Sequence, residues 1–113
     1  MSGAVVHHAA ASALADEVRR ELGRVADRLR VLGPRWAQRQ STPSEVAHVR
    51  AALQRLADLA ATGVPTETRR VPELGLHALS DQLLVLGHEA LAEADAGALA
   101  DVHAVLVDLR RTL

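Results

Sequence analysis

Large apolar residues recur every three or four positions in four separate segments of this chain. This spacing places one continuous apolar stripe on an α-helix, and such a stripe must be buried against another apolar surface. Four stripes of similar length can bury one another, so the chain is predicted to be an all-α, antiparallel four-helix bundle. The stripes are Val18, Leu22, Val25, Leu29, Leu32; Val46, Val49, Leu53, Leu56, Ala60; Leu76, Leu79, Leu83, Leu86, Ala90; and Leu99, Val102, Leu106, Leu109, Leu113.

The composition predicts a single packed domain over residues 1–113. Hydrophobic residues make up 49% of the chain, which argues against general disorder, and a core of Leu, Val and Ala suits closely packed helices. The chain has no cysteine, which excludes disulfides, thiol catalysis and cysteine-based zinc sites. We find neither a signal-peptide pattern nor an apolar run of membrane-spanning length, and therefore expect a cytoplasmic protein without membrane contact.

Turn and capping residues set the predicted helix boundaries. Gly33-Pro34 is expected to cap and end helix 1, and Gly63 is expected to end helix 2. Thr42-Pro43-Ser44-Glu45 is a start signal for helix 2, with Pro43 at its first position and Glu45 reaching back. Asp95 is a candidate cap for helix 4. The predicted helices span about residues 8–32, 43–62, 73–93 and 96–112.

Two connections leave alternatives open. Residues 63–71 can cover about 30 Å when extended, enough to cross the end of the bundle or to run along its side. The topology is therefore either up-down-up-down or one with a crossover. Residues 33–41 contain Trp36, the single aromatic residue, which either closes one end of the core or anchors a partner.

The net charge of −1 conceals an asymmetry along the chain. Residues 1–70 hold 11 arginines and seven acidic residues, for +4, whereas residues 71–113 hold two arginines and seven acidic residues, for −5. Two basic helices packed beside two acidic ones account for this pattern. A nucleic-acid surface would be weakly charged and would have only Trp36 to stack on a base, so no nucleic-acid partner is expected.

Helix 3 carries apolar residues outside its core stripe, namely Leu74, Leu84, Val85 and Leu91. A helix that is apolar nearly all round is buried on more than one side. Either helix 3 lies deep in the bundle, or its second face contacts another copy or another protein. A two-fold homodimer centred on Leu84 and Leu91 is the expected use of this face, since such dimers are the commonest oligomers.

The histidines form no clear metal site. His77, Asp81 and His88 share one stripe of helix 3, which is either a solvated stripe or a weak metal-binding or pH-sensing group. Glu45 and His48 have the spacing of a di-iron motif, but the motif occurs once and the core stripe turns both residues aside. His103 is expected at the rim of the bundle. We therefore predict no metal and no other cofactor.

One segment resembles a known family. The run from His77 to Gly87 is similar to the phosphoacceptor helix of histidine phosphotransfer domains, which are also helical bundles; His77, Leu79, Leu86 and Gly87 match. The resemblance implies that His77 accepts a phosphoryl group. Ser80 and Asp81 stand where that family has a lysine and a glycine.

No motif for ordinary catalysis is present: the chain has no glycine-rich phosphate loop and no recognisable nucleophile arrangement. We therefore expect a non-enzymatic protein that acts through self-association or through an unidentified protein partner, with helix 3 as the contact. Two alternatives remain, a phosphotransfer module acting through His77 and a carrier of a small apolar ligand held within the bundle.

Overall fold

A computed structural model describes the backbone of residues 2–39, 43–61 and 70–113, and the side chains of the same ranges from Ser12 onward. These residues form four α-helices, a short 3-10 helix and no strand. The elements are α1 (Ser2–Ala37), α2 (Ser44–Ala60), the 3-10 helix (Leu76–Ala78), α3 (Leu79–Glu93) and α4 (Ala96–Thr112). The predicted four-helix bundle is confirmed.

The core consists of the four predicted stripes. Their members are buried except for four that are half-buried at the ends or edges of the bundle: Leu32, Leu76, Leu86 and Leu113. Trp36 is 4% exposed and joins the same core. It therefore closes the core rather than anchoring a partner, and it does so from within a helix rather than from a loop.

The helices are arranged with α1 and α2 at opposite corners, because each of them packs mainly on α3 and α4. α1 and α4 run parallel. Three contacts follow one another along both helices: Glu17 with His103, Glu21 with Arg110, and Arg28 with the Leu113 carbonyl.

α3 runs antiparallel to α1, since the hydroxyl of Ser80 donates to the carbonyl of Ala26 and Gly87 lies against Leu22 further along. His48, near the start of α2, contacts Asp108 near the end of α4, so those two helices are also antiparallel. The directions along the chain are therefore up, down, down and up. This order resolves the open topology in favour of a crossover between α2 and α3.

The expected end of helix 1 at Gly33-Pro34 is wrong: α1 continues through Pro34 to Ala37. Pro34 removes one backbone donor, but the turn that follows buries Trp36 in the core. Gly33 is not a left-handed cap. A Cβ at Gly33 would lie 2.8 Å from the carbonyl oxygen of Leu76, so this glycine permits the close approach of the chain that leads into α3.

The predicted starts of three helices also need correction. α1 begins at Ser2 rather than near residue 8, and α3 begins at Leu79, after the 3-10 helix, rather than near residue 73. α2 begins at Ser44, so Pro43 is its N-cap residue and makes no side-chain capping bond. Thr42 and Gly63, named in the same predictions, lie outside the described residues.

The start of α4 is confirmed. Asp95 is its N-cap residue, and its Oδ1 accepts a hydrogen bond from the backbone N–H of Ala98 at 2.8 Å. α4 ends at Thr112, as predicted.

We predict opposite effects for alanine at two helical glycines. A Cβ at Gly87 would lie 2.4 Å from Cδ1 of the buried Leu22, so Gly87→Ala should lower the free energy of unfolding by about 1–3 kcal/mol. A Cβ at Gly23 meets nothing within 4 Å, so Gly23→Ala should raise it by up to about 1 kcal/mol. Urea unfolding followed by circular dichroism measures both. Equal effects would contradict the close packing of α1 on α3.

Candidate protein-binding groove

Residues 70–75, here called the strap, lie along the outside of α2 and have no regular secondary structure. The backbone N–H of Val71 donates to Oε1 of Gln54 at 2.9 Å, and Nη2 of Arg50 donates to the carbonyl of Leu74 at 3.1 Å. The strap therefore passes from the third turn of α2 back towards the first. These side-chain bonds occupy the backbone of the strap, which accounts for the late start of α3.

Two further contacts attach the strap to its neighbours. Nη1 of Arg50 pairs with Oε1 of Glu73 at 2.9 Å, and Nε2 of Gln82 on α3 donates to the carbonyl of Pro72 at 2.9 Å. The strap is thus held on one side by α2 and on the other by α3. It lies over the junction of these two parallel helices.

A cavity of about 550 Å³, here called the groove, lies between the strap, α3 and α2. Apolar side chains form most of its wall, and four polar ones stand around them. The apolar residues are Ala57, Val71, Pro72, Leu74, Ala78, Val85 and Leu86; the polar ones are Arg70, Asp81, Gln82 and Glu89.

The groove leaves large apolar side chains in contact with solvent. Val85 is 66% exposed and Leu74 is 46% exposed. Among the described residues the one other exposed large apolar side chain is Val31 on α1, at 49%. Two such residues in one groove form a surface whose burial by another molecule would be favourable.

The structure divides the four residues predicted for the interface into two pairs. Leu74 and Val85 line the groove and are exposed. Leu84 and Leu91 are half-buried and pack against the core, so they do not form the centre of a free face. The apolar surface of α3 that remains open is therefore the part that faces the strap.

The stripe of His77, Asp81 and His88 is not brought together into a cluster. His77 belongs to the 3-10 helix, where its ring folds towards Gly75, while Asp81 lines the groove and His88 is exposed on α3. Within the described part of the chain no three His, Cys, Asp or Glu residues are placed to hold a metal ion. Ser80 is buried, and its hydroxyl is bonded to α1 rather than directed towards His77.

Two of the other histidines, His48 and His103, make polar contacts at the rim of the bundle. Nε2 of His48 lies 3.0 Å from Oδ2 of Asp108, and Nε2 of His103 lies 3.6 Å from Oε2 of Glu17. Glu45, three residues before His48, is half-buried and belongs to no group of metal-ligand residues in the described part of the chain.

The opposite side of the bundle, between α1 and α4, is polar and rich in arginine. Glu21 is 6% exposed, and its two carboxylate oxygens accept from Arg24 at 3.2 Å and from Arg110 at 2.7 Å. Glu21 and Arg24 stand three residues apart on α1, a spacing at which helical side chains meet. The ion pair of Glu21 with Arg110 joins α1 to α4. The two residues are 89 positions apart in the sequence, so no local pattern indicates this pair.

No known family model, curated protein or solved structure showed a significant match to this chain. Within the described residues, no helix combines the length and the apolar character needed to cross a membrane.

We predict that Arg50→Gln loosens the strap. The substitution removes the pair with Glu73 and the bond to the Leu74 carbonyl, which together contribute about 1 kcal/mol because the ion pair is partly exposed. Hydrogen exchange of the amides of Val71, Glu73 and Leu74 should become up to about tenfold faster.

Arg55→Gln is the matched control, because it removes the same charge from an exposed position on α2 that has no partner among the described residues. Unchanged exchange in Arg50→Gln, or equal acceleration in both variants, would show that Arg50 does not hold the strap.

Proposed function

We propose that this chain is a non-enzymatic association module and that its groove receives a second copy of the same protein. The observation that carries this proposal is the exposure of both Leu74 and Val85 in the lining of one groove, which is mostly apolar and has polar residues around it. A protein interface has this composition, with an apolar centre inside a polar boundary.

The apolar area that association would remove from water sets the strength of this contact. Full burial of one Leu or Val side chain is worth about 1.5–3 kcal/mol, but Leu74 is already about half covered and Val85 about one-third covered. The groove alone therefore supports a weak contact. Association is expected to depend strongly on protein concentration, with a homodimer as its smallest product. We also propose that the protein is cytoplasmic.

The volume of the groove favours one second candidate, a carrier of a small apolar ligand. A cavity of about 550 Å³ falls within the range of small-molecule sites. Such a ligand would occupy the groove at the surface rather than the interior of the bundle. It would also cover Val85, so the two functions exclude each other at this place.

Val85→Arg tests the proposal. The new side chain removes the exposed apolar group and has Asp81 four residues before it, a spacing that favours the folded helix. We expect the wild-type protein to sediment as a concentration-dependent mixture of monomer and larger species, and Val85→Arg to remain a helical monomer.

Ala104→Arg is the matched control because it adds the same charge at an exposed position on α4, away from the groove. It should associate as the wild type does. A wild type that is monomeric at every concentration would contradict the proposal, as would unchanged association of Val85→Arg. Native mass spectrometry of the same samples separates the second candidate, which predicts added mass on the monomer.

A further inference from the structure

We infer that a cavity between α1 and α4, here called the cleft, binds a small phosphorylated molecule through the guanidinium groups of its four arginines. The cleft has a volume of about 450 Å³ and lies on the side of the bundle opposite the groove. This inference is independent of the proposed self-association, which uses the groove.

One face of α1 forms the first wall of the cleft. Its members, at positions i, i+3, i+4 and i+7, are Glu17, Arg20, Glu21 and Arg24. Arg20 and Arg24 stand four residues apart on this face, a spacing at which like charges destabilise a helix. Arg24 pairs with Glu21, whereas Arg20 has no ion pair or hydrogen bond with any described residue. The repulsion is therefore only partly compensated within α1.

The second wall is a face of α4 that ends in two adjacent arginines. Its members, at positions i, i+4, i+7 and i+8, are His103, Val107, Arg110 and Arg111. Arg110 and Arg111 belong to the last turn of α4, where the helix dipole favours a cation. The dipole accounts for arginines at this helix end, but not for the two arginines on the facing wall, which lie in the middle of α1.

A buried carboxylate holds two of the four guanidinium groups. Glu21 is 6% exposed, and its oxygens accept from Nη1 of Arg24 and from Nε of Arg110. A guanidinium group carries five N–H donors, so each of these arginines keeps donors that Glu21 does not use. The side chains of Arg24 and Arg110 are still 61% and 43% exposed. Because Glu21 already orders both groups, a ligand that binds them loses less free energy in ordering them.

The charges that line the cleft do not balance. Four arginines face two glutamates, which leaves a formal charge of +2 when His103 is counted as neutral. Glu17 lies 3.6 Å from His103, and Arg111, like Arg20, has no ion pair or hydrogen bond with any described residue. All the lining residues belong to the described parts of α1 and α4. An anion in the cleft would supply the missing countercharge.

The acidic residues next to these two walls do not supply it. Asp16 pairs with Arg19 at 2.9 Å, and Asp108 lies 3.0 Å from His48 on the side of α4 that faces α2. Asp101 is exposed on α4 and is not part of the lining. The described residues thus leave the positive charge of the cleft uncompensated.

A phosphate group matches this surplus better than a carboxylate does. A phosphomonoester carries about 1.5–2 negative charges near pH 7 and three acceptor oxygens, whereas a carboxylate carries a single charge and two oxygens. Guanidinium groups bind phosphate oxygens in pairs. The volume of the cleft falls within the range of small-molecule sites, so there is room for a body attached to the phosphate. The half-buried Val107 provides an apolar wall for that body.

The test is a titration of the ¹⁵N-labelled protein with glycerol 3-phosphate at constant ionic strength, followed by two-dimensional NMR. We expect saturable shifts of the backbone amides at residues 20–24 and 107–111 and of the arginine Nε–H signals. Sodium acetate, which offers one charge and two oxygens, should bind at least about tenfold more weakly. A titration without saturable shifts at these residues would overturn the inference.

Arg111→Gln is the test variant, because it removes an exposed charge and leaves every described ion pair intact. Loss of one charge-assisted contact should weaken the binding of glycerol 3-phosphate about tenfold. Arg111→Lys keeps the charge without the planar fork and should bind with intermediate affinity. Should Arg111→Gln disturb the end of α4, Arg20→Gln replaces it, with the same expected loss.

Arg55→Gln is the matched control, because it removes the same charge from an exposed position on α2, outside the cleft. It should bind glycerol 3-phosphate as the wild type does. Equal weakening in Arg55→Gln and Arg111→Gln would overturn the inference, because it would indicate a response to net charge rather than a site.

A membrane surface is the other source of the same phosphate group, and vesicles distinguish it. Phosphatidylcholine vesicles that contain phosphatidic acid present glycerol phosphate on a lipid. Binding to these vesicles, without binding of soluble glycerol 3-phosphate, would overturn the inference in favour of a lipid surface. Saturable binding of the soluble compound that depends on Arg111 supports it.

Thermal unfolding provides a second readout. Without phosphate, Arg20→Gln should be at least as stable as the wild type, because it removes the repulsion between Arg20 and Arg24. A ligand that binds the folded state raises the melting temperature, so glycerol 3-phosphate should raise that of the wild type more than that of Arg20→Gln. An equal rise in both proteins would overturn the inference, because the ligand would then not use Arg20.

Discussion

The return of the chain along the outside of α2 is the constraint on which the arrangement of this bundle depends. α2 and α3 run in the same direction, so the chain between them must cover the length of the bundle before α3 can begin. Arg50, Gln54 and Gln82 provide the bonds that the strap needs, and they fix it over the α2–α3 junction. The groove is the space enclosed by this route, and its apolar wall is a consequence of the topology.

The buried polar side chains in the described part of the bundle join its helices. Among the described residues, no buried side-chain nitrogen or oxygen lacks a hydrogen-bond partner. Ser80 and Glu21, the buried polar residues, join α3 and α4 to α1. The two parallel helix pairs differ at the surface: the described α2–α3 side carries the apolar groove, and the α1–α4 side is rich in arginine.

The periodic stripes and the Asp95 cap could be predicted from the sequence because both depend on residues a few positions apart. The continuation of α1 through Pro34 depends on the burial of Trp36, although the three-to-four spacing from Leu29 through Leu32 to Trp36 carried that signal. The position of the strap follows from bonds that Arg50 and Gln54 make across 17 to 24 residues, which no local pattern encodes. For the same reason, the sequence indicated an apolar second face on helix 3. It did not indicate that Val85, rather than Leu84, is the solvent-exposed residue of that face.

The most direct test of self-association through the groove uses the absence of cysteine in this chain, since a His88→Cys variant takes a single spin label beside the groove. The spin-labelled His88→Cys protein, at natural isotope abundance, is mixed with ¹⁵N-labelled wild type. The loss of amide signals in the wild type then reports which of its residues approach the groove of another molecule. Self-association through the groove predicts losses in the wild type that grow with protein concentration. The absence of any intermolecular loss at high concentration would contradict it.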